Sequence, residues 1–599
     1  MKKIVIAIIT SIIFFTSCED YFKNKPNGSY NEDDFYKNIN ELQNALDAVY
    51  SVIREKSYQL NLALIGDGMS DDFVYEYSMN QDFGYDAYRL CTFKATSDNT
   101  TAREWYSINY RGIFRANMLL KHVNDSLNLW YREGADDSNI RMWQSIYGQA
   151  LFLRAYFYFN LVRSYGDVPI MPLDPNYKTY NIPRSSKDLV YAYIEKDLRT
   201  AAILLPIKYD SNDQYGAATR YAALSYLMKV IIYQAKPGIP SQKWDEAQRL
   251  GALLTGYNED VNMTFKEILK PELNFPGWSW DSLKIHFKFD KRIPFGILSG
   301  TQMSELKKPI ENAIFQKSSD INTTQGFVDW GKMWRLSFQS LEKNHEPIFF
   351  IPTIDLKGIS VNNTYNYVDY LYGSYYFYSP ALVPTMSLVK EIDPVSGDLR
   401  RYYGVVSHNM NPIGHFSSDL AGESMGGLGV ENNYYQCIKR WLHSQNERQI
   451  SPWVGSLRIV MLMRYSEVVL LYAEALNESG NSKAAIDVLN KMMENFKNNS
   501  PSITSDVPAT DISDFKYAPY STVRELIYHE RRMELFAEFD RFFDIVRQGR
   551  AESLLNYAFK IDNSYSKQGT FIRGKNEVLP IPQNEIDLSH GVIVLNPGY

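Results

Sequence analysis

Two parts of the sequence combine acidic and aromatic side chains of the kind that bind sugars. The first is a glycine-rich stretch, residues 66–77, and the second is the long region 255–458, which holds most of the tryptophans. Tryptophan and tyrosine rings pack against the apolar C–H face of a sugar, while carboxylates accept hydrogen bonds from its hydroxyls. We therefore predict the following ligand-contacting residues: Asp71, Tyr75, Tyr77, Trp278, Trp280, Trp330 and Tyr376.

Motifs for catalysis are weak by comparison. The run from His529 to Met533 lacks the second histidine of a zinc-protease helix, and neither a phosphate-binding glycine loop nor a Cys-x-x-Cys pair occurs. The carboxylates of a glycosidase meet in space rather than in sequence, so that alternative stays open. Asp71 and Asp72 could also hold Ca²⁺ or cap a turn, but hydroxyl binding or capping is favoured. We predict a binding protein that is not an enzyme and has no metal or cofactor.

The segments that carry these residues must be held by a scaffold, and its clearest element is a helix ending near residue 165. Apolar residues recur there at steps of three and four over most of the circumference, which predicts a helix buried between others. Gly166 can adopt the left-handed conformation that ends a helix, and Pro169 cannot continue one. Arg154 and Arg163 are too costly to bury alone, so we expect each to bind a carboxylate or helix-end carbonyls.

Similar periodicity predicts further helices, and their pairing favours a mostly α fold. The predicted helices cover about 33–56, 103–123, 189–204, 218–235, 244–254, 464–476, 484–492 and 524–547. Helix pairs of this length predict a tetratricopeptide-like α-solenoid. We place its scaffold at about 33–254 and 459–550, separated by a loop-rich, aromatic insertion at 255–458 with small β elements near 348–351 and 403–406. Residues 66–100 lack periodicity and are predicted to form a long loop.

The predicted helix at 524–547 alternates acids and arginines. Thr522 and Glu525 have the spacing of a capping box at its start. Glu534 and Glu538 could pair with Arg531 and Arg541 on the same helix. We interpret these charges as buried structural pairs rather than as catalytic groups.

The N-terminus has the pattern of a secretion signal. Lys2 and Lys3 precede an apolar run at 4–15, which is shorter than the about 20 residues needed to span a bilayer. Residues 15–18, Phe-Thr-Ser-Cys, resemble a bacterial lipobox, although Phe stands where Leu or Val is commoner. We predict a signal peptide at 1–17 and a mature chain, 18–599, anchored by lipid on Cys18. The alternative is an ordinary signal peptide with a chance cysteine.

The charge balance and the two remaining cysteines give less information about the function of the protein. The formal net charge is −6, without a basic run, so nucleic-acid binding is not expected. Cys91 and Cys437 could pair in an oxidising compartment or remain two buried thiols, and the sequence does not decide between these alternatives.

Several motifs together resemble the SusD/RagB family of nutrient-binding lipoproteins. They are the helix and turn at 154–169, the hairpin core at 467–475, the charged stretch at 524–547, and the closing segments 579–582 and 595–599, where Leu595 replaces a more usual Gln. With the lipobox they span nearly the whole chain in the family's order. The family fixes no ligand residues by motif, so none is carried over.

The resemblance implies a function. Such proteins lie on the outer face of the outer membrane, capture an oligosaccharide or a peptide, and act as a lid on a SusC-like TonB-dependent transporter. Glycan capture is the expectation, peptide capture by the RagB branch is the first alternative, and a surface glycoside hydrolase is the second. A cytosolic helical-repeat adaptor disagrees with the lipobox.

Overall fold

A computed structural model describes residues 35–75, 84–133, 137–173, 182–207, 209, 216–256, 268, 270, 347–352, 368–372, 381–392, 405–407, 435–437, 459–498, 522–561 and 569–599. The fold is mostly α-helical with a few short strands, as predicted. Within these ranges, no helix is long and apolar enough to cross a membrane.

The helices before the insertion follow one another closely along the chain. Their bounds are α1 Ile39–Arg54, α2 Lys56–Ala63, α3 Gly84–Cys91, α4 Thr100–Glu133, α5 Asp137–Tyr165, α6 Lys187–Leu204, α7 Arg220–Tyr233 and α8 Gln242–Thr255. Side-chain caps set several starts: Asn38, Asn99 and Ser186 accept hydrogen bonds from backbone N–H groups in the first turns of α1, α4 and α6.

The second half of the described structure contains shorter elements. The helices are α9 Val368–Leu371, α10 Met386–Ile392, α11 Tyr465–Glu478, α12 Ser482–Asn498, α13 Val523–Leu535, α14 Arg541–Arg547, α15 Ala551–Ile561 and α16 Gln583–Leu588. The predicted cap of the charged helix is confirmed, because Thr522 accepts a hydrogen bond from the Glu525 amide at 3.2 Å. Phe536 ends α13 with an extended backbone, so the predicted single helix at 524–547 is in fact two.

Three antiparallel strand pairs complete the fold. The strands are β1 Phe73–Tyr75, β2 Pro347–Ile351, β3 Leu382–Pro384, β4 Val405–Ser407, β5 Tyr435–Cys437 and β6 Val460–Arg464, and they pair as β1–β3, β2–β6 and β4–β5. The β run predicted at 348–351 is confirmed by β2, and the run predicted at 403–406 overlaps β4 at Val405 and Val406.

The helices pack in chain order, as in an α-solenoid. Neighbours from α4 to α8 pack pairwise, α8 packs directly on α11, and α11 packs on α12. Residues Ile146 to Val162 of α5 are all buried, so the predicted core helix is confirmed. The Phe349 ring of β2 lies edge-on to Phe152 of α5, with centroids 4.8 Å apart, so this helix also supports the β2–β6 strand pair.

The prediction of one long loop at 66–100 is wrong for 66–68, 73–75 and 84–91, whereas 92–99 is irregular and 76–83 lies outside the described residues. A π-helical turn occupies Leu64–Gly68, and β1 and α3 follow. Gly66 is required here because a Cβ atom would lie 1.9 Å from the Phe539 carbonyl oxygen. Residues 66–75 lack an amphipathic pattern because all of them are buried, so local pattern could not identify the structure of this part.

The two cysteines are both buried thiols. Cys91 Sγ lies 3.8 Å from the Leu64 carbonyl oxygen, and Cys437 belongs to β5. The sequence left open a disulfide or two buried thiols, and this structure contains two buried thiols.

Candidate functional site

Asp71 and Asp72 lie in the protein interior, bound to arginines. Arg541 donates from Nε and Nη2 to the two oxygens of Asp71, at 2.8 and 2.9 Å. Arg532 Nε donates to Asp72 Oδ1 at 2.7 Å, and its Nη2 lies 3.2 Å from Asp71 Oδ2. Both aspartates are 0% exposed. This burial speaks against the predicted role in binding sugar hydroxyls, because neither carboxylate faces solvent.

The charges around this pair perturb its titration in opposite directions. Burial raises the pKa of both carboxyls, and Arg532 and Arg541 lower it. For Asp71 the arginines prevail, and its pKa lies well below the usual range. For Asp72 burial and the neighbouring Asp71 charge prevail, and its pKa is raised. Among the described residues, no group of three or more His, Cys, Asp and Glu is arranged to hold a metal ion.

The other charges of α13 and α14 are structural pairs as well, as predicted. Arg531 binds Asp544 at 2.6 Å, and Arg547 binds Glu474 of α11 at 2.6 Å. The partners of the glutamates differ from the prediction: Glu534 and Glu538 both bind Arg464 at the end of β6. The three shortest contacts of Arg464 with them are 2.7, 2.8 and 2.8 Å.

Of the other predicted ligand residues, only Tyr75 is described. It lies in β1 opposite Leu382 and is 2% exposed, which corrects its predicted position on an accessible loop. Tyr77, Trp278, Trp280, Trp330 and Tyr376 lie outside the described residues. Their assignment as ligand contacts stays a prediction.

The same part of the chain does present an exposed aromatic surface, which the sequence prediction did not select. Tyr85 and Tyr88 lie one turn apart on α3, and their rings are nearly parallel, with centroids 6.0 Å apart and an interplanar angle of 24°. Tyr85 is 58% exposed and Tyr88 is half-buried. Their spacing of three residues was a detectable helical signal, but the surrounding segment was taken for a loop.

Polar side chains border this tyrosine surface. Arg89 donates to Asp86 and to Asp98, both at 3.2 Å, and to Thr96 at 2.5 Å. Lys94 Nζ lies 5.8 Å from the centroid of the Tyr88 ring. An aromatic face with donors and acceptors at its edge has the chemistry of a carbohydrate-binding surface.

Fixed contacts with the start of α4 position α3. Asn99 Nδ2 donates to the Asp86 carbonyl at 2.9 Å, while Asn99 Oδ1 caps α4 by accepting from the Ala102 amide at 2.9 Å. The Asp86 carboxylate accepts from the Thr100 amide at 3.0 Å and from its hydroxyl at 2.6 Å. Burial raises the pKa of Asp86, but the bonds from Thr100 and Arg89 prevail and lower it. The helix α3, which carries both tyrosines, is therefore held against the start of α4, a helix of 34 residues.

Sequence comparison gives matches at both ends of the chain. A family model described as "SusD family" matches residues 417–599, and one described as "Starch-binding associating with outer membrane" matches residues 20–232. Among curated relatives, SusD-like protein P2 of Formosa agariphila is 24% identical with full coverage of both chains. SusD-like protein P25 of the same organism is 22% identical over 99% of each.

Solved structures share the fold. A laminarin-binding SusD-like protein has a TM-score of 0.63 at 22% identity, covering 94% of this chain and 100% of its own. Surface glycan-binding protein A from Bacteroides thetaiotaomicron, in complex with laminarihexaose, has a TM-score of 0.61 at 17% identity, with 93% and 99% coverage. Both likenesses extend over nearly the whole chain.

Proposed function

Since the chain belongs to the SusD family, we propose that it is a cell-surface glycan-binding lipoprotein that captures oligosaccharides for uptake. The observation that carries the proposal is the likeness along the whole chain to SusD-like proteins, one of them described as laminarin-binding, and to a surface glycan-binding protein in complex with laminarihexaose. In this role it delivers the captured glycan to a SusC-like TonB-dependent transporter in the outer membrane.

The described chemistry is consistent with binding rather than hydrolysis. A glycosidase needs a carboxylic acid and a carboxylate that both reach the scissile bond. Asp71 and Asp72 are buried against Arg532 and Arg541 instead. One sequence motif keeps a hydrolase control necessary: residues 422–426 have the Gly-x-Ser-x-Gly spacing of a nucleophile elbow, outside the described residues.

A direct binding screen tests the proposal. Purified residues 19–599 are run in native gels containing laminarin, starch, xylan, galactomannan or alginate, and positive results are measured by calorimetry. We expect retardation by at least one polysaccharide and no release of reducing sugar over many protein equivalents. Binding to a peptide library without any polysaccharide binding would instead support the RagB-type alternative, and sustained sugar release would contradict a binding-only role.

The lipid anchor is proposed from the sequence at 1–18. Its test is Cys18→Ala in the producing cell, with Cys91→Ala as a matched cysteine control. We expect Cys18→Ala to release the protein from the membrane fraction, and Cys91→Ala to leave it there. Protease treatment of intact cells tests the surface orientation, and co-purification through a C-terminal tag tests the transporter partner.

A further inference from the structure

We infer that the surface formed by Tyr85 and Tyr88 on α3 is a contact site for a neutral oligosaccharide. This inference rests on the proposed function and adds to it a location and a chemical class of ligand. Neither tyrosine belongs to the set of contacts predicted from the sequence.

The Tyr85 ring provides an apolar face at the protein surface. Tyr85 is the most exposed of the large apolar and aromatic side chains in the described part of the chain, at 58%. Tyr88 stacks on it, with the ring centroids 6.0 Å apart and the ring planes 24° apart, and so helps to fix the orientation of the Tyr85 ring. A sugar packs its C–H groups on such a face without losing hydroxyl hydration at its rim.

The polar border explains why we infer a carbohydrate rather than an apolar ligand. Lys94, which is exposed, offers N–H donors, and Asp98, whose side chain is 68% exposed, offers acceptor oxygens. The hydrogen bond from Arg89 to Asp98 raises the pKa of the guanidinium and outweighs the opposing effect of burial, so this residue remains a cation. Sugar hydroxyls both donate and accept, so they can bind either group.

The balance of charge distinguishes a neutral glycan from an anionic one. Two carboxylates, Asp86 and Asp98, lie with two cations, Arg89 and Lys94, around the tyrosines. The Arg89 charge is already paired with both carboxylates, and the whole chain carries a formal charge of −6. Among the described residues around the tyrosines, a uronate or sulfate group would meet no excess of positive charge. A neutral ring requires none.

The contacts with α4 fix the backbone of α3 before a ligand binds. Asn99 is 0% exposed and joins the backbone of α3 to the first turn of α4. Because the tyrosines are attached to this fixed junction, ligand binding has little backbone freedom to remove.

The test measures the affinity of Tyr85→Ala for the neutral polysaccharide that binds the wild type best. The matched control is Tyr557→Ala on α15, where an equally accessible tyrosine is 50% exposed. We expect Tyr85→Ala to bind about tenfold more weakly, Tyr85→Trp to retain binding, and Tyr557→Ala to match the wild type. Thermal unfolding of all variants checks that the fold is intact.

The outcomes separate this inference from the proposed function. Wild-type binding that Tyr85→Ala leaves unchanged would overturn the tyrosine site and preserve the glycan-binding function. Preference for alginate over every neutral polysaccharide would overturn the inferred ligand class. If the wild type bound no glycan at all, the proposed function would fail and the inference with it.

Discussion

Arg541 of α14 and Asp71, 470 residues apart in sequence, form a two-point ion pair in the protein interior. Both donor–acceptor distances are below 3 Å, and the pair connects α14 to the segment that enters β1. Such a pair is costly to desolvate, but removing one partner costs more because the other charge stays buried. Through this pair, the stability of the N-terminal part of the chain depends on the C-terminal part, and the reverse.

Asp71→Asn should therefore destabilise the protein. The neutral amide leaves the Arg532 and Arg541 charges insufficiently compensated, and we expect a loss of about 3–5 kcal/mol in the free energy of unfolding. Urea denaturation followed by circular dichroism measures it. The matched control is Glu55→Gln, which removes an exposed ion pair with Arg111 and should cost at most about 1 kcal/mol. Equal losses in both variants would contradict the structural role of Asp71.

Gly112→Ala should disturb the packing of α4 on α5. A Cβ atom at Gly112 would lie 2.3 Å from the Phe157 ring, so the ring or a helix must move. We expect a loss of about 1–3 kcal/mol in unfolding free energy, despite the better helix propensity of alanine. Ser107→Ala, at an exposed position of the same helix, is the control and should have little effect. A stabilised Gly112→Ala protein would show that the helices can separate without cost.

The scaffold was predictable because its signals are local. Helical periodicity identified α5 to α8, and the cost of burying a lone charge predicted that Arg154 and Arg163 have partners. The structure supplies them: Asp197 binds Arg154 at 2.7 Å, and Asp540 binds Arg163 at 2.5 Å. The identity of these partners could not be predicted, since Asp540 lies 377 residues beyond Arg163 and only the fold brings them together.

The candidate site was harder to predict because contacts between distant parts of the sequence decide which of its residues are buried. Asp71 and Tyr75 have the composition of a ligand-binding loop, but whether a residue is buried depends on distant elements such as α14 and β3. Tyr85 is the same type of residue as Tyr75 and belongs to the same part of the chain, but it is exposed. Composition thus could not separate the residues of this region that lie in the core from those that lie on the surface.

Phe157→Ala should separate stability from ligand binding. Phe157 is fully buried on α5, and truncation should cost about 3–5 kcal/mol of unfolding free energy through the cavity it leaves. At temperatures where the variant stays folded, we expect wild-type affinity and ligand preference. Tyr85→Ala is the opposite case, with normal stability and weak binding. A changed ligand preference in folded Phe157→Ala protein would mean that the site lies near α5.

The ion pairs of Glu195 on α6 should contribute to the acid sensitivity of the fold. Arg199 donates to Glu195 at 2.5 Å, and Lys243 and Gln234 donate at 3.0 and 2.7 Å. Burial raises the pKa of this carboxyl, but Arg199 and Lys243 prevail and lower it from 4.5 to about 2. Because the folded-state pKa is the lower one, the stabilisation is complete above about pH 4.5 and is lost as the pH falls towards 2.

Glu195→Gln tests this contribution through the difference between two pH values. The wild type should lose about 2 kcal/mol of unfolding free energy through this group between pH 7 and pH 3. Glu195→Gln cannot titrate there, so its total loss over the same interval should be smaller by that amount, even though it is less stable at pH 7. Ser107→Ala changes no titratable group and should keep the wild-type difference. If Glu195→Gln kept it too, Glu195 would have the same pKa in the folded and unfolded chain, and its contacts with Arg199 and Lys243 would contribute nothing to the acid response.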